Sequence, residues 1–152
     1  MTKVNALMTG NVVTIGAEAS GHDAVELMVR KRIRHLPVLD SEGLLCGIVT
    51  DRDVRHRLFG ADVFRSIGTV PVERLLSEVR VRDVMSAPVI SVGLDTELAE
   101  AASLMAQKKL GSLPVSDRGR IVGMITETDL LRHIIGANAC CADVEAIVVS
   151  YP

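Results

Sequence analysis

Apolar and polar positions along the chain fall into a short cycle that runs twice. Val12-Val13-Thr14-Ile15 is a β-rich run, and Val89 to Val92 repeats it. Between His22 and Arg32, the residues Ala24, Leu27, Met28 and Lys31 stand at helical steps. Asp95 to Lys109 carries the same pattern in Ala101, Leu104 and Met105. Ser20 and Asp95 stand where helix N-caps belong. Leu36 to Leu39 predicts a second strand, with Pro37 near its start, where a missing N–H does least harm. Ser41-Glu42-Gly43 predicts a tight turn, shortened in the second cycle to Arg118-Gly119. Leu44 to Val49 predicts a third strand, apolar throughout and therefore buried. A second helix is predicted from after Thr50 to about Leu58, and its twin after Thr126. Each cycle reads β-α-β-β-α.

The two cycles share residues as well as pattern. Val4, Met8, Val12, Ala24, Leu27, Met28, Lys31, Leu36-Pro37-Val38 and Asp40 return, 77 positions later, at Val81, Met85, Val89, Ala101, Leu104, Met105, Lys108, Leu113-Pro114-Val115 and Asp117. After the shortened turn, Gly43, Gly47, Thr50 and Asp53 return at Gly119, Gly123, Thr126 and Asp129. The chain is therefore an internal duplication. We divide it into a first repeat (1–58), a linker (59–80), a second repeat (81–135) and a tail (136–152). The expected fold class is α+β: two tandem β-α-β-β-α repeats packed by pseudo-twofold symmetry. Neither half is large enough to cover a sheet and two helices alone, so each should bury a face on the other. Pro71 suits the first turn of a short linker helix. The second helices carry apolar faces (Val54, Leu58; Leu130, Leu131, Ile134, Ile135) that predict a homodimer.

Composition narrows the chemistry. With 17 Lys+Arg against 19 Asp+Glu and a net charge of −2, the 152-residue chain does not resemble a nucleic-acid binder. Aromatics are 2% of residues, so bases cannot be held by stacking between rings. No apolar run approaches the roughly 20 residues that cross a bilayer, and Met1-Thr2-Lys3-Val4 does not open a secretion signal. Three cysteines without a C-x-x-C pattern fit a reducing compartment, and a cytoplasmic location is expected. No Cys/His set stands at metal spacing, and no metal is expected. Ser/His/Asp, Cys/His and P-loop signatures are lacking, so an enzyme is not expected.

The feature with chemistry in it is Gly47-Ile48-Val49-Thr50-Asp51-Arg52-Asp53, repeated as Gly123 to Asp129. A strand ends, Thr sits at the turn into a helix, and Asp follows in the first helical turn. Hydroxyl, carboxylate and free backbone N–H groups gather at one spot, which suits an anion beside a ribose diol. The same Thr-x-x-Asp spacing is also that of a capping box, whose role is structural.

The repeat resembles the CBS domain, named after cystathionine β-synthase, and the tandem resembles a CBS pair, or Bateman module. The resemblance rests on Met8…Val12-Val13-Thr14, Arg34-His35-Leu36-Pro37-Val38 and Gly47 to Asp53. Their partners are Met85…Val89-Ile90-Ser91, Ser112-Leu113-Pro114-Val115 and Gly123 to Asp129. Val81-Arg82-Asp83-Val84-Met85 after a long linker is similar to stand-alone CBS proteins of the acetoin-utilisation type. The resemblance implies regulatory binding of an adenine nucleotide (AMP, ADP, ATP or NAD(H)) between the repeats. It implies Asp53 and Asp129 as ribose-binding acids, with Thr50 and Thr126 supplying hydroxyls. It implies main chain around Val13-Thr14 and Ile90-Ser91, with Leu36-Pro37 and Leu113-Pro114, as the adenine pocket. Phosphates are expected toward Arg34, His35 and Arg52, for which the second repeat has Gly111, Ser112 and Thr128.

The implied function is an energy or redox sensor that changes shape and acts on an unidentified effector protein. The alternative is a ligand-free dimerisation or docking module working through its tail. Cys140-Cys141 are read as plain thiols, Cys46 as packing, and His22, His56 and His133 as surface residues. Met8 and Met85 either line a cleft or pack.

Overall fold

The computed structural model describes residues 1–59 and 72–137. The tail, with Cys140-Cys141, and the middle of the linker lie outside them. The first half holds β1 (Ile15–Gly16), α1 (Gly21–Lys31), β2 (His35–Leu39), β3 (Leu45–Thr50) and α2 (Asp51–Phe59). Two short helices follow, α3 (Val72–Glu78) and α4 (Val81–Val84). The second half holds α5 (Leu98–Lys108), β4 (Ser112–Asp117), β5 (Arg120–Thr126) and α6 (Glu127–Ala137). The class is α+β, as expected.

In the first half β1 lies parallel to β2, and β2 antiparallel to β3. In the second half β4 and β5 form the matching hairpin, and the first strand is reduced to a bridge between Val92 and Val115. The opening strand is thus shorter than Val12–Ile15 predicts. It begins only at Ile15, because Val12 and Val13 are turned toward an inter-repeat cleft. The third strand is alternately rather than continuously buried, because the cleft opens on one of its faces.

Helix α1 starts as the sequence predicts. The Ser20 hydroxyl accepts from the Asp23 N–H at 3.1 Å, and the Asp23 carboxylate accepts from the Ser20 N–H at 3.0 Å. The Ser20 hydroxyl also donates to Asp23 Oδ2 at 2.7 Å, and this bond, followed by that from the Ser20 N–H, holds the Asp23 carboxyl below its usual range. Its twin α5 does not start at Asp95. Glu97 is the N-cap, boxed with Glu100, and Asp95 instead accepts from Lys3 Nζ at 2.7 Å.

The halves exchange their leading segments. Val4 is fully buried in the core of the second half, among Ala101, Met105, Leu113, Val115 and Ile125. Val81 is fully buried in the core of the first half, among Ala24, Met28, Leu36, Val38 and Val49. The main chain follows the same symmetry: the Val4 N–H donates to Thr96 O at 2.9 Å, and the Val81 N–H to Ala19 O at 2.9 Å. Further along, Thr9 and Met124 exchange two backbone bonds, as Ser86 and Ile48 do. Met8 lies on Gly123 and Met85 on Gly47, so closely that a Cβ on either glycine would overlap the sulfur. Both methionines are packing residues. Cys46 is likewise structural: its thiol donates to Val38 O at 3.4 Å, and burial pushes its pKa up.

Candidate functional site

Each strand-to-helix corner is built twice. At the first, Asp53 Oδ2 accepts from the Thr50 N–H and the Thr50 hydroxyl, both at 2.8 Å, and the Asp53 N–H donates to Thr50 Oγ1 at 3.2 Å. At the second, Asp129 Oδ2 accepts from Thr126 N and Oγ1 at 2.8 and 2.7 Å, and the Asp129 N–H donates to Thr126 Oγ1 at 3.3 Å. Both are capping boxes. They use one carboxylate oxygen of each Asp, and Oδ1 makes no hydrogen bond among the described residues.

The free N–H groups expected at these helix starts are largely taken. The Asp51 N–H donates to Arg34 O and the Glu127 N–H to Gly111 O, both at 3.1 Å. A backbone anion nest is therefore not what the corners offer. Positive charge comes from side chains instead.

Both corners open into one cleft between the halves, with a volume of about 760 Å³. Of the residues expected at a binding site, Val13, Arg34, His35, Thr50, Arg52, Asp53, Ser112, Thr126 and Asp129 line it. Thr14, Ile90 and Ser91 do not; Ile90 and Ser91 are exposed, and the Ser91 and Ser116 hydroxyls lie 3.0 Å apart. Leu36, Pro37, Leu113 and Pro114 are fully buried and do not line the cleft; Leu36 and Leu113 belong to the two cores.

The cleft also takes in side chains not singled out from the sequence: Asp51, Arg55, Glu127 and Arg132, with Arg32 and Lys109 at its rim. Arg132 follows Asp129 by three residues, hence on the same helical face, a spacing that was readable. Six Arg and Lys against four Asp and Glu leave this wall net positive in a chain of net charge −2. The excess belongs to the first half, which supplies Arg32, Arg34, Arg52 and Arg55 against Asp51 and Asp53. Arg55 is tied to Asp51 at 2.8 Å.

Two polar groups on the wall stand without partners. The Ser112 hydroxyl is buried and makes no hydrogen bond among the described residues. His35, at the equivalent place in the first half, is half-buried and makes none among the described residues. Burial, followed by the Arg34 charge, holds its imidazole below the ordinary 6.5, against the opposing pull of Asp51, Glu127 and Asp53. Room for the ring comes from Gly111: a Cβ there would stand 3.2 Å from His35 Nε2.

The CBS domain model matches residues 4–60 and 81–136. The chain belongs to the CBS domain family. A CBS domain-containing protein of Dictyostelium discoideum is 33% identical over 133 residues, covering 87% of this chain and 90% of that one. An acetoin utilization protein (AcuB) from Vibrio cholerae shares the fold at a TM-score of 0.73 and 32% identity, covering 91% of this chain and 94% of that one. CBSX2, solved in complex with AMP, matches at 0.73 and 28% identity, covering 91% and 99%. Other relatives are far longer: the CBS pair spans 32% of an uncharacterized protein of Methanocaldococcus jannaschii and 23% of a homoserine O-acetyltransferase of Methanocorpusculum labreanum. No helix among the described residues is long and apolar enough to cross a membrane, and no acid, His or Cys group among them could hold a metal ion.

Proposed function

We propose that this CBS pair is a regulatory, non-catalytic module that binds an adenine nucleotide (AMP, ADP, ATP or NAD(H)) between its repeats. The supporting observation is one cleft that gathers both Thr–Asp corners, two unpartnered polar side chains and an excess of Arg. The remaining carboxylate oxygen of Asp53 or Asp129 accepts from the ribose diol. Arg34, Arg52 and His35 take the phosphate, and Val13 with the backbone around it meets the adenine. That CBSX2 is solved in complex with AMP supports the nucleotide reading. Binding acts through the angle between the repeats, since the cleft is made by both, and a ligand shifts only the state it binds better. The readout is energy or redox status, passed to an effector protein in the cytoplasm.

The module works as a homodimer. Leu131, Ile134 and Ile135 of α6 are each more than half exposed, an apolar face that a second copy would cover. That face also favours a second reading, a docking module acting through α6 and the tail beyond it.

A thermal-shift panel of AMP, ADP, ATP, NAD+ and NADH, with GMP and CMP as controls, tests the function. A ligand at a hundred times its Kd should stabilise by about 2.7 kcal/mol. Adenine nucleotides alone should raise the melting temperature. No shift with any of them contradicts the proposal and leaves the docking reading.

A further inference from the structure

The two halves differ most at the strand starts facing the cleft. Where the second half has Gly111-Ser112, the first has Arg34-His35. Both His35 and Ser112 pair across their hairpins with the cap threonines, Thr50 and Thr126. They are thus equivalent positions on one wall, one able to carry a proton and charge, the other not.

Resting on the reading of the cleft as a nucleotide site, we infer that His35 is its phosphate-selecting group, acting by taking up a proton as a dianionic phosphate binds. The charged groups around the imidazole come from three elements. Arg34 precedes it, Asp51 and Asp53 face it from the first turn of α2, and Glu127 approaches from α6 across Gly111. The ring is half-buried beside Arg34 and has no hydrogen-bond partner among the described residues, an arrangement that favours its neutral form. A phosphate dianion drawn to Arg34 and Arg52 reverses the balance. It brings two negative charges within reach of the ring and offers an acceptor to its N–H. An opposite charge within about 4–6 Å favours the charged imidazole by one to three pKa units. The proton comes from the buffer acid, and the complex gains a third cation against the phosphate. An uncharged nucleoside supplies no such reversal. The cleft therefore tells AMP from adenosine by more than its fixed arginines allow, and does so less well as pH rises. Ser112, with no titrating group, gives the second half no such preference.

The test is calorimetric titration of AMP at pH 7.5 in two buffers of different ionisation enthalpy. AMP, with a second phosphate pKa of about 6, is already a dianion there. Binding heat should depend on the buffer in the sense of proton uptake, and AMP affinity should weaken by up to about tenfold per pH unit above neutrality. His35→Asn, and His35→Ser, which copies the other half, should abolish the uptake and shrink the preference for AMP over adenosine several-fold. AMP binding with buffer-independent heat in the wild type, or equal uptake in both variants, overturns the inference while leaving the nucleotide reading intact. Failure of both AMP and adenosine to bind overturns the two together.

Discussion

At the residue scale, the capping role of Asp53 and Asp129 and the ribose-binding role proposed for them can be separated by one substitution. Their Oδ2 atoms close the helix caps, and their Oδ1 atoms make no hydrogen bond among the described residues. Asn keeps an acceptor for the Thr N–H and hydroxyl but gives up the charge. Asp129→Asn should therefore shift the melting temperature little and weaken nucleotide binding by about tenfold or more, since a charge-assisted hydrogen bond is worth about 1.5–3 kcal/mol. Asp129→Ala removes the cap as well and should cost about 0.5–2 kcal/mol of stability, read by urea unfolding. His35 gives a pH signature without ligand. Its pKa lies below 6.5 in the folded chain, so the unfolded chain takes the proton first. Its contribution is complete above pH 6.5 and is lost as pH falls toward the folded value. Melting temperature should drop more steeply across that window in the wild type than in His35→Asn. The Thr-x-x-Asp spacing revealed these corners because a cap and a ribose acid need the same two residues in the same turn. It did not reveal that the Asp51 and Glu127 N–H groups were taken, because the acceptors, the carbonyls of Arg34 and Gly111, lie just ahead of β2 and β4, distant in sequence.

Among the elements, the hairpins and their following helices were legible because apolar period and turn residues agree there. The opening strands were not. Val12-Val13 and Val89-Ile90 have strand-forming side chains, but Val12 and Val13 line the cleft and Ile90 is exposed, so propensity yields to tertiary placement. Asp95 misled for a similar reason: it is a good cap residue, but Lys3 from the exchanged N-terminal segment claims it. The exchange itself left a trace in the sequence, in Gly47 and Gly123, the two glycines that admit Met85 and Met8. At Gly47 a Cβ would also press on Ser86 O at 3.2 Å, which cannot swing away like a side chain. Gly47→Ala should cost about 1–3 kcal/mol by overpacking, read as a lowered melting temperature. Gly10→Ala, where a Cβ meets nothing, should be neutral by comparison.

For the whole molecule, duplication predicts symmetry, and the cores, exchanged segments and cap corners follow it. The proposed phosphate site rests on the departures from symmetry: Arg34 against Gly111, His35 against Ser112, Arg52 against Thr128. These make a single cleft with a charged end and a neutral end. The exposed row on α6 belongs to this scale too. Leu131→Glu with Ile135→Glu should halve the mass seen by sedimentation while leaving the circular dichroism spectrum unchanged, and an unaltered mass would place any dimer contact elsewhere. The most direct test of the central claim is calorimetric titration of AMP, ATP and NADH into protein freed of carried-over ligand, beside the Asp53→Asn/Asp129→Asn double variant. Saturable heat is expected with at least one nucleotide, with about tenfold or greater loss of affinity in the variant. Absence of heat with all three, or undiminished affinity in a folded variant, would contradict it.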